Sequence, residues 1–312
     1  MYEPRPDDIY TSLSALVRLR FAARGFSYLP RQPVRSILSG RKRSRLRGRG
    51  LDFDELRHYR PGDDIRTMDW RVTNRTGKPH VRVYTEERDR PVIVLADQRM
   101  PMFFGSKKKM KSVIAAEAAA LTAWRVLSAS DRIGAVLFND ETIIEARPSR
   151  SEKRLMGWLG DLADMNQSLS VNTGPRCNPE ALSEALQQLE HSIGHDYLVV
   201  LISDFSGWND DALKTIRRIS QHNDVICTIV YDPLERDITD AGELVVSDGM
   251  YQLEIDPGSK NLGARFEANF DNSMASVQDA MQRHRIPVLL METMTPVAEQ
   301  LREKLGGQRI LQ

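Results

Sequence analysis

Short apolar runs alternate with amphipathic segments through the last two thirds of the chain. Runs rich in β-branched residues lie at 92–96, 133–138, 143–146, 197–203, 225–231 and 286–291. Helical periodicity lies at 108–128, 151–163, 178–191, 210–222 and 296–304. Because buried strands that alternate with helices are typical of parallel sheets, this pattern predicts a doubly wound α/β domain with right-handed crossovers over residues 91–312.

The first fifty residues have a different pattern, which predicts a basic amphipathic helix followed by an arm. Residues 9–26 place Leu13, Val17 and Phe21 at helical spacing, and Leu16 lies on a different face together with arginines. We therefore expect residues 1–50 to form a helix that presents an apolar face, and then a loop or mobile arm.

A small β-rich region is expected over residues 51–90. The alternation of apolar and polar residues at 80–84 predicts a strand, and the cluster Pro61-Gly62-Asp63-Asp64 predicts a turn. The expected junction with the α/β domain therefore lies near Arg90.

Basic and acidic residues are unevenly distributed along the chain, although the net charge is close to zero. The net charge is +1, but residues 1–50 carry 12 Lys and Arg against 3 Asp and Glu. The basic arm, residues 31–49, holds six of them in a tight cluster: Arg41, Lys42, Arg43, Arg45, Arg47 and Arg49. We expect it to contact protein first, including the acidic remainder of this chain, and an anionic membrane surface second. Nucleic acid is disfavoured because the cluster has no aromatic residue to stack on bases.

Several classes of function find no support in the sequence. Hydrophobic residues at 41% and charged residues at 28% are ordinary for a globular protein. The two cysteines, Cys177 and Cys227, are too few for a zinc site or a disulfide framework. No P-loop, nucleophile elbow or HExxH motif is present, and no apolar run has the length of a signal-peptide core or a membrane span. We expect no catalytic residue and no export.

Two acidic residues follow predicted strands at the edge where ligands bind in such sheets. Asp97 ends the strand at 92–96, and Asp204 follows the strand at 197–203. Paired carboxylates at this edge could hold Mg²⁺, or each could cap the helix that follows it. The spacing of Asp97 and Asp204 alone does not decide between a metal site and two helix caps.

One long segment resembles a known family. Residues 48–70 contain the signature segment, residues 59–70, which includes Pro61-Gly62-Asp63-Asp64-Ile65-Arg66-Thr67-Met68-Asp69-Trp70. Further matching stretches lie at 71–91, 104–106, 111–113, 131–134, 203–204 and 232–235. Together they resemble the domain-of-unknown-function 58 family, whose members are von Willebrand factor A-like proteins encoded beside AAA+ ATPases of the MoxR type.

The resemblance implies a von Willebrand factor A-like fold and the position of its metal-ion-dependent adhesion site. That site uses Asp-x-Ser-x-Ser, but this chain has Asp97-Gln98-Arg99-Met100-Pro101, and Asn178 or Glu180 stands where a Thr is expected. Because Arg pairs bidentately with carboxylates and keeps its proton, we expect Arg99 to bridge Asp97 and Asp204 in a degenerate site, with Mg²⁺ as the disfavoured occupant.

The signature segment has two interpretations. Its charged and aromatic residues could form a partly buried ion-pair and capping network with Trp70 as a packing anchor, or a docking surface for a partner. The first is the more frequent arrangement, and both can hold together. The residues concerned are Arg60, Asp63, Asp64, Arg66, Asp69 and Trp70.

The resemblance implies a non-enzymatic adaptor or co-chaperone that works with a MoxR-type AAA+ ATPase in the maturation or activation of client proteins. Further partners would be other von Willebrand factor A-like or membrane proteins of the same gene cluster, and the location would be the bacterial cytoplasm or the inner-membrane surface. A metal-dependent adhesion module without an ATPase is the first alternative. The second is a divalent-metal phosphoesterase that uses Asp97 and Asp204.

Overall fold

The apolar runs become the strands of one main sheet in a computed structural model of the chain. The structure describes residues 6–27, 51–61, 63, 65–86, 90–170, 177–236, 244–247, 252–255 and 260–306. The chain divides into two units: Met1–Leu29 together with Arg90–Gln312, and Pro30–Asp89.

The described strands and helices are as follows in chain order. The strands are β1 (Leu51–His58), β2 (His80–Glu86), β3 (Val92–Asp97), β4 (Ile133–Phe138), β5 (Ile143–Ser149), β6 (Leu198–Ser203), β7 (Asp224–Tyr231), β8 (Leu244–Ser247), β9 (Gln252–Ile255) and β10 (Val288–Glu292). The helices are α1 (Pro6–Ile9), α2 (Leu13–Arg18), α3 (Trp70–Thr76), α4 (Lys111–Ser128), α5 (Glu152–Ser168), α6 (Ala181–Ser192), α7 (Asp210–Ser220), α8 (Pro233–Arg236), α9 (Lys260–Arg283) and α10 (Val297–Leu305). Short 3₁₀ turns lie at Leu19–Phe21, Ile65–Thr67 and Met100–Met102.

The larger unit is built on a mostly parallel six-stranded sheet with helices on both faces. Its strand order is β10-β7-β6-β3-β4-β5, and only the β4–β5 pair within it is antiparallel. The chain first builds from β3 toward β5 and later returns to place β6 on the other side of β3. The expected α/β class with a mostly parallel sheet is confirmed, and the order reverses between β3 and β6.

Alternate residues of β3 point to opposite faces of the sheet and so belong to two cores. Val92, Val94 and Ala96 pack in one core with side chains of α2, α4, α5 and α10. Ile93 and Leu95 pack in the other core with side chains of α6, α7 and α9. Such two-sided burial explains why the strand reads as a continuous apolar run.

The N-terminal helix packs into the larger unit through Leu13, Val17 and also Leu16, which the helical spacing placed on a different face from the other two. Leu16 is fully buried, and the indole N–H of Trp124 donates to its carbonyl oxygen at 3.0 Å. Phe21, expected on the apolar face, is 78% exposed. The α-helix ends at Arg18 and tightens into a 3₁₀ turn, so the helical period that placed Phe21 beside Leu13 and Val17 does not continue.

The smaller unit is an antiparallel strand pair with one short helix. β1 pairs with β2, with a register shift between Phe53 and Glu55. Asp69 caps the start of α3. Gly77 follows the last helical residue, and its φ of +68° places it in the left-handed region that glycine adopts without strain. The expected strand at 80–84 is the first part of β2.

Two features were not expected from the sequence. α9 is a helix of 24 residues, and β8 and β9 form an antiparallel pair. No helix in the part of the chain that the structure describes is long and apolar enough to cross a membrane.

We predict that Leu16→Ala destabilises the larger unit by about 2 to 5 kcal/mol, because it opens a cavity against α4. Phe21→Ala is the matched control, since Phe21 is mostly exposed, and it should change the free energy of unfolding little. Urea unfolding of the full chain, followed by tryptophan fluorescence, measures both. Equal effects of the two substitutions would show that the N-terminal helix is not packed as described.

Candidate functional site

The candidate site lies where the strand order reverses. Asp97 is the last residue of β3, and Asp204 follows β6, the strand paired with it in parallel. Both carboxylates therefore emerge at the same edge of the sheet, as ligand-binding residues do in open α/β sheets. The hydroxyl of Ser203 donates to Asp97 Oδ2 at 2.6 Å.

Arg99 lies between these two carboxylates. Its Nε lies 3.0 Å from Asp97 Oδ1, and its Nη2 lies 2.6 Å from Asp97 Oδ2 and 3.7 Å from Asp204 Oδ1. Nη1 donates to the carbonyl oxygen of Ser206 at 3.0 Å. The side chain is 2% exposed, and its guanidinium carbon lies 5.3 Å from the ring centroid of Phe138. A buried guanidinium thus occupies the space between the two strand ends.

Lys111 supplies a second buried cation. It is the first residue of α4 and is 3% exposed, with Nζ at 2.8 Å from Asp204 Oδ2 and 2.5 Å from Glu235 Oε1. Asp97, Arg99, Lys111, Asp204 and Glu235 form what we call the ion-pair cluster. Three carboxylates and two cations are therefore held together at this edge of the sheet.

Backbone groups hold the loops of the cluster in place. Asp140 accepts from the backbone N–H of Met100 at 2.6 Å and of Asn178 at 3.0 Å. Asp232 accepts from the N–H of Ser106 at 2.9 Å and from the hydroxyl of Thr293. These acidic residues bind three segments at the sheet edge: the β3–α4 connection, the segment before α6 and the segment after β10.

Glycine is required beside Ser106. A Cβ at Gly105 would lie 2.4 Å from the carbonyl oxygen of Lys109, too close for any side chain. The loop that leads to Lys111 can therefore turn tightly only with glycine at this position.

A chain of buried amides connects the cluster to the N-terminal segment. The Gln98 side chain donates to the carbonyl oxygen of Ser112 at 3.0 Å and accepts from the Asn166 amide at 2.9 Å. Asn166 in turn accepts from the N–H of Thr11 at 2.7 Å. Because each buried amide is paired, the loop after β3, α4 and α5 have a fixed spacing.

Electrostatics favour the charged form of both cations. Burial opposes the charge of Arg99 and Lys111, but the adjacent carboxylates hold the pKa of both side chains above their ordinary values. Burial also works against the Asp204 carboxylate, yet Lys111 and Arg99 hold its pKa below the ordinary value. Burial raises the pKa of Glu235, against the attraction of Lys111. Burial likewise raises the pKa of Asp97, against the attraction of Arg99. Among the three carboxylates, Asp204 is therefore the one whose charged form the two cations favour most.

The residues at this position do not fit a divalent cation. Both oxygens of Asp97 accept from Arg99, Oδ2 of Asp204 accepts from Lys111, and Oδ1 of Asp204 accepts from the N–H of Ser206 at 2.9 Å. Among the described residues, no group of three or more His, Cys, Asp or Glu side chains is arranged to hold a metal ion. A metal would have to displace buried, hydrogen-bonded cations of the protein itself.

Asn178 and Glu180, the residues at the expected Thr position, bond elsewhere. The Asn178 amide donates to Glu184 at 3.3 Å, and Glu180 accepts from Asn209 at 3.5 Å. The backbone N–H of Asn178 donates to Asp140 in the loop after β4, and Asp140 in turn accepts from Met100 in the loop after β3.

The acidic residues of the signature segment organise the smaller unit. Asp63 accepts two bonds from Arg57, each of 2.8 Å, and one from the N–H of Arg60. Asp69 accepts from the N–H groups of Arg71 and Val72 and from Arg82. The bonds from Arg57 hold the pKa of Asp63 below its ordinary value. Asp63 and Asp69 thus make ion-pair and capping bonds within the smaller unit.

Trp70 does not pack as the first interpretation of the signature segment expected. It is 59% exposed, and Ile65 of the same segment is as exposed. The expectation that Trp70 is a packing anchor is therefore wrong for the described residues. As the first residue of α3, Trp70 has a backbone fixed by the Asp69 cap, while its indole is left at the surface.

The remaining predicted residues fall into two groups. Arg66 lies on the exposed 3₁₀ turn, and the part of Arg60 that bonds Asp63 is its backbone N–H. Asp64 and the six residues of the basic arm lie outside the described residues. Lys111, Glu235 and Asp140 were not singled out, although Lys111 and Glu235 stand in stretches that carry the family resemblance.

The fold and the site define a mixed α/β protein with a buried ion-pair cluster at the sheet edge, and comparisons place it in a family. The chain belongs to the family described as "Protein of unknown function DUF58", which matches residues 55–276. Uncharacterized proteins from Mycobacterium bovis and Mycobacterium tuberculosis are 30% identical to it over 260 residues, covering 80% of this chain and 78% of each relative. A solved structure, the conserved hypothetical protein BatB from Bacteroides thetaiotaomicron, is similar at a TM-score of 0.36 and 10% identity, covering 62% of this chain and 98% of that one.

We predict that Lys111→Met destabilises the larger unit by about 3 kcal/mol at pH 7, because it leaves the buried Asp204 carboxylate without its nearest cation. The difference between the two proteins in free energy of unfolding should become smaller as the pH is lowered from 7 toward 4. Asp204 is ionised in wild type over this range since its pKa is lowered, whereas in the variant it can take up a proton.

Lys214→Met is the matched control, because Lys214 forms an exposed pair with Asp211 and its loss should change stability little. Urea unfolding of the full chain at several pH values measures all three proteins. Wild-type stability in Lys111→Met would mean that Lys111 does not neutralise Asp204.

Proposed function

We propose that the chain is a non-enzymatic adaptor or co-chaperone that works with a MoxR-type AAA+ ATPase in the maturation or activation of client proteins. In this proposal the larger unit is a von Willebrand factor A-like domain whose metal site is degenerate. The support comes from the sequence resemblance, from the ion-pair cluster and from the exposed residues of the signature segment.

The observation that carries the proposal is the exposure of Trp70. Trp and Arg are the residues most often found as anchors of protein interfaces. Here the indole is exposed on a helix whose first turn is fixed by Asp69, and Arg82 also bonds Asp69. A large aromatic side chain on a rigid backbone loses little conformational entropy when a partner covers it.

The ion-pair cluster weakens the two alternatives from the sequence. An adhesion module needs a divalent cation to receive the carboxylate of its ligand, and a phosphoesterase needs one to activate water or stabilise a phosphoryl group. Both would place that cation at Asp97 and Asp204, where Arg99 and Lys111 already bond the carboxylates. Neither alternative has an observation in its favour.

The remaining partners and the location belong to the same proposal. Other von Willebrand factor A-like or membrane proteins of the same gene cluster would meet the adaptor at the cytoplasmic surface of the inner membrane. The basic arm, residues 31–49, would contribute electrostatic attraction to a protein or to anionic lipid.

We predict that the full chain retains a MoxR-type AAA+ ATPase of its own organism in a pull-down, with or without Mg²⁺ in a nucleotide-free buffer, and that Trp70→Ala weakens this binding at least 10-fold. Phe21→Ala is the control, because it removes an exposed aromatic residue from the other unit. Binding that vanishes without Mg²⁺ would favour the adhesion module. Failure of the wild-type chain to retain any such ATPase would contradict the adaptor proposal.

A further inference from the structure

A groove of about 760 Å³ opens beside the ion-pair cluster in the larger unit. One wall is the loop after β6, residues 205–208, and the opposite wall is the middle of α9. Lys111, Asp204 and Glu235 line one end. A volume of this size accommodates several side chains or a ligand of moderate size.

Aromatic side chains line the groove on several sides. Phe205 and Trp208 lie edge to face with ring centroids 5.9 Å apart, and Tyr231 lies 6.0 Å from Phe270 of α9. Phe104 lies 5.9 Å from Nζ of Lys111. Aromatic rings bind both apolar groups and cations, because the face of each ring carries partial negative charge.

The charge at the end of the groove is negative. Two carboxylates, Asp204 and Glu235, and one cation, Lys111, line this end, and Lys111 is shared between the two carboxylates. Glu235 is the most accessible of these acids, with 27% of its side chain exposed. A cation that enters the groove therefore meets an unbalanced negative charge, whereas an anion would be repelled.

The lip of the groove is suited to a polypeptide backbone. Asn269, Asn272, Ser273 and Ser276 line the α9 side, and all four are exposed. Their amide and hydroxyl groups can both donate and accept, as the N–H and C=O groups of an extended peptide require.

We propose that this groove binds a segment of a partner protein that carries an Arg or Lys beside an apolar residue, with the cation toward Glu235 and the apolar side chain among the aromatic rings. The proposal rests on the proposed function, since it assumes that the chain works by binding proteins. It reverses the charge preference of a metal-bearing adhesion site, which receives an acidic side chain. The basic side chain of the partner segment is chosen because its charge is complementary to that of the Glu235 carboxylate.

Selection of random linear peptides on the full wild-type chain tests this proposal. Enriched peptides should carry Arg or Lys next to an aliphatic or aromatic residue, and their affinity should fall as salt is raised. Fluorescence anisotropy with the enriched peptides then compares the variants. Enrichment of acidic peptides, or no enrichment above a blank surface, would overturn the proposal.

The sharpest comparison uses opposite charges at one exposed position of the lip. Asn272→Asp should tighten the binding of the basic peptides about 2- to 5-fold, and Asn272→Arg should weaken it by a similar factor. Neither substitution touches the core, so folding is not in question. Equal affinities for the two variants would overturn the proposal.

Two further variants with matched controls locate the contact. Trp208→Ala and Glu235→Gln should each weaken binding about 3- to 10-fold. Phe21→Ala and Glu299→Gln, which change an aromatic and an acidic residue outside the groove, should leave it unchanged. Binding that is equally weakened by the controls would place the peptide elsewhere. The outcome is separable from the ATPase pull-down, because Trp70 lies in the other unit and plays no part in these measurements.

Discussion

Two carboxylates that are buried at neighbouring strand ends cannot both stay ionised without a cation between them. Asp97 and Asp204 are in this position because the strand order reverses between β3 and β6. Arg99 and Lys111 neutralise them, and the need to place these two cations sets the geometry around the site. The tight loop at Gly105, the start of α4 at Lys111 and the short helix α8 that carries Glu235 all serve this arrangement.

The same network has a consequence for function. Buried ion pairs of this kind add little net stability compared with apolar residues, but removal of one partner is costly. The cluster therefore makes the sheet edge specific and rigid, and it places the carboxylates of Asp204 and Glu235 beside Lys111 at the end of the adjacent groove. In our proposal this edge recognises protein segments through charge and aromatic contacts, and a second surface around Trp70 contacts another partner.

The sequence predicted best the strands that are buried on both faces and the residues that follow them. Strands β3, β4, β6 and β7 were predicted within about one residue, because β-branched runs buried on both faces have few alternatives. Asp97, Asp204 and Arg99 could be singled out, since a topological rule and a lost serine pattern pointed to them. The arrangement of Arg99 between the two carboxylates is what the side-chain chemistry anticipated.

The features that sequence reasoning missed depend on long-range contacts. Lys111 begins an alanine-rich helix, where a lysine is usually exposed. Only the fold shows that Asp204 and Glu235 surround it. α9 has a polar composition, so its few buried residues, such as Val277 and Met281, gave a weak periodic signal. Phe21 was placed wrongly on the apolar face with Leu13 and Val17, because a 3₁₀ turn changes the helical period before it.

The central claim is that side chains of the protein itself occupy the place of a metal between Asp97 and Asp204. Titration calorimetry of the full chain with Mg²⁺ and with Mn²⁺ tests it most directly. We expect only the heat of dilution for both ions at millimolar concentration, and the same for Asp97→Ala. Saturable binding in the micromolar range that is lost in Asp97→Ala would contradict the account.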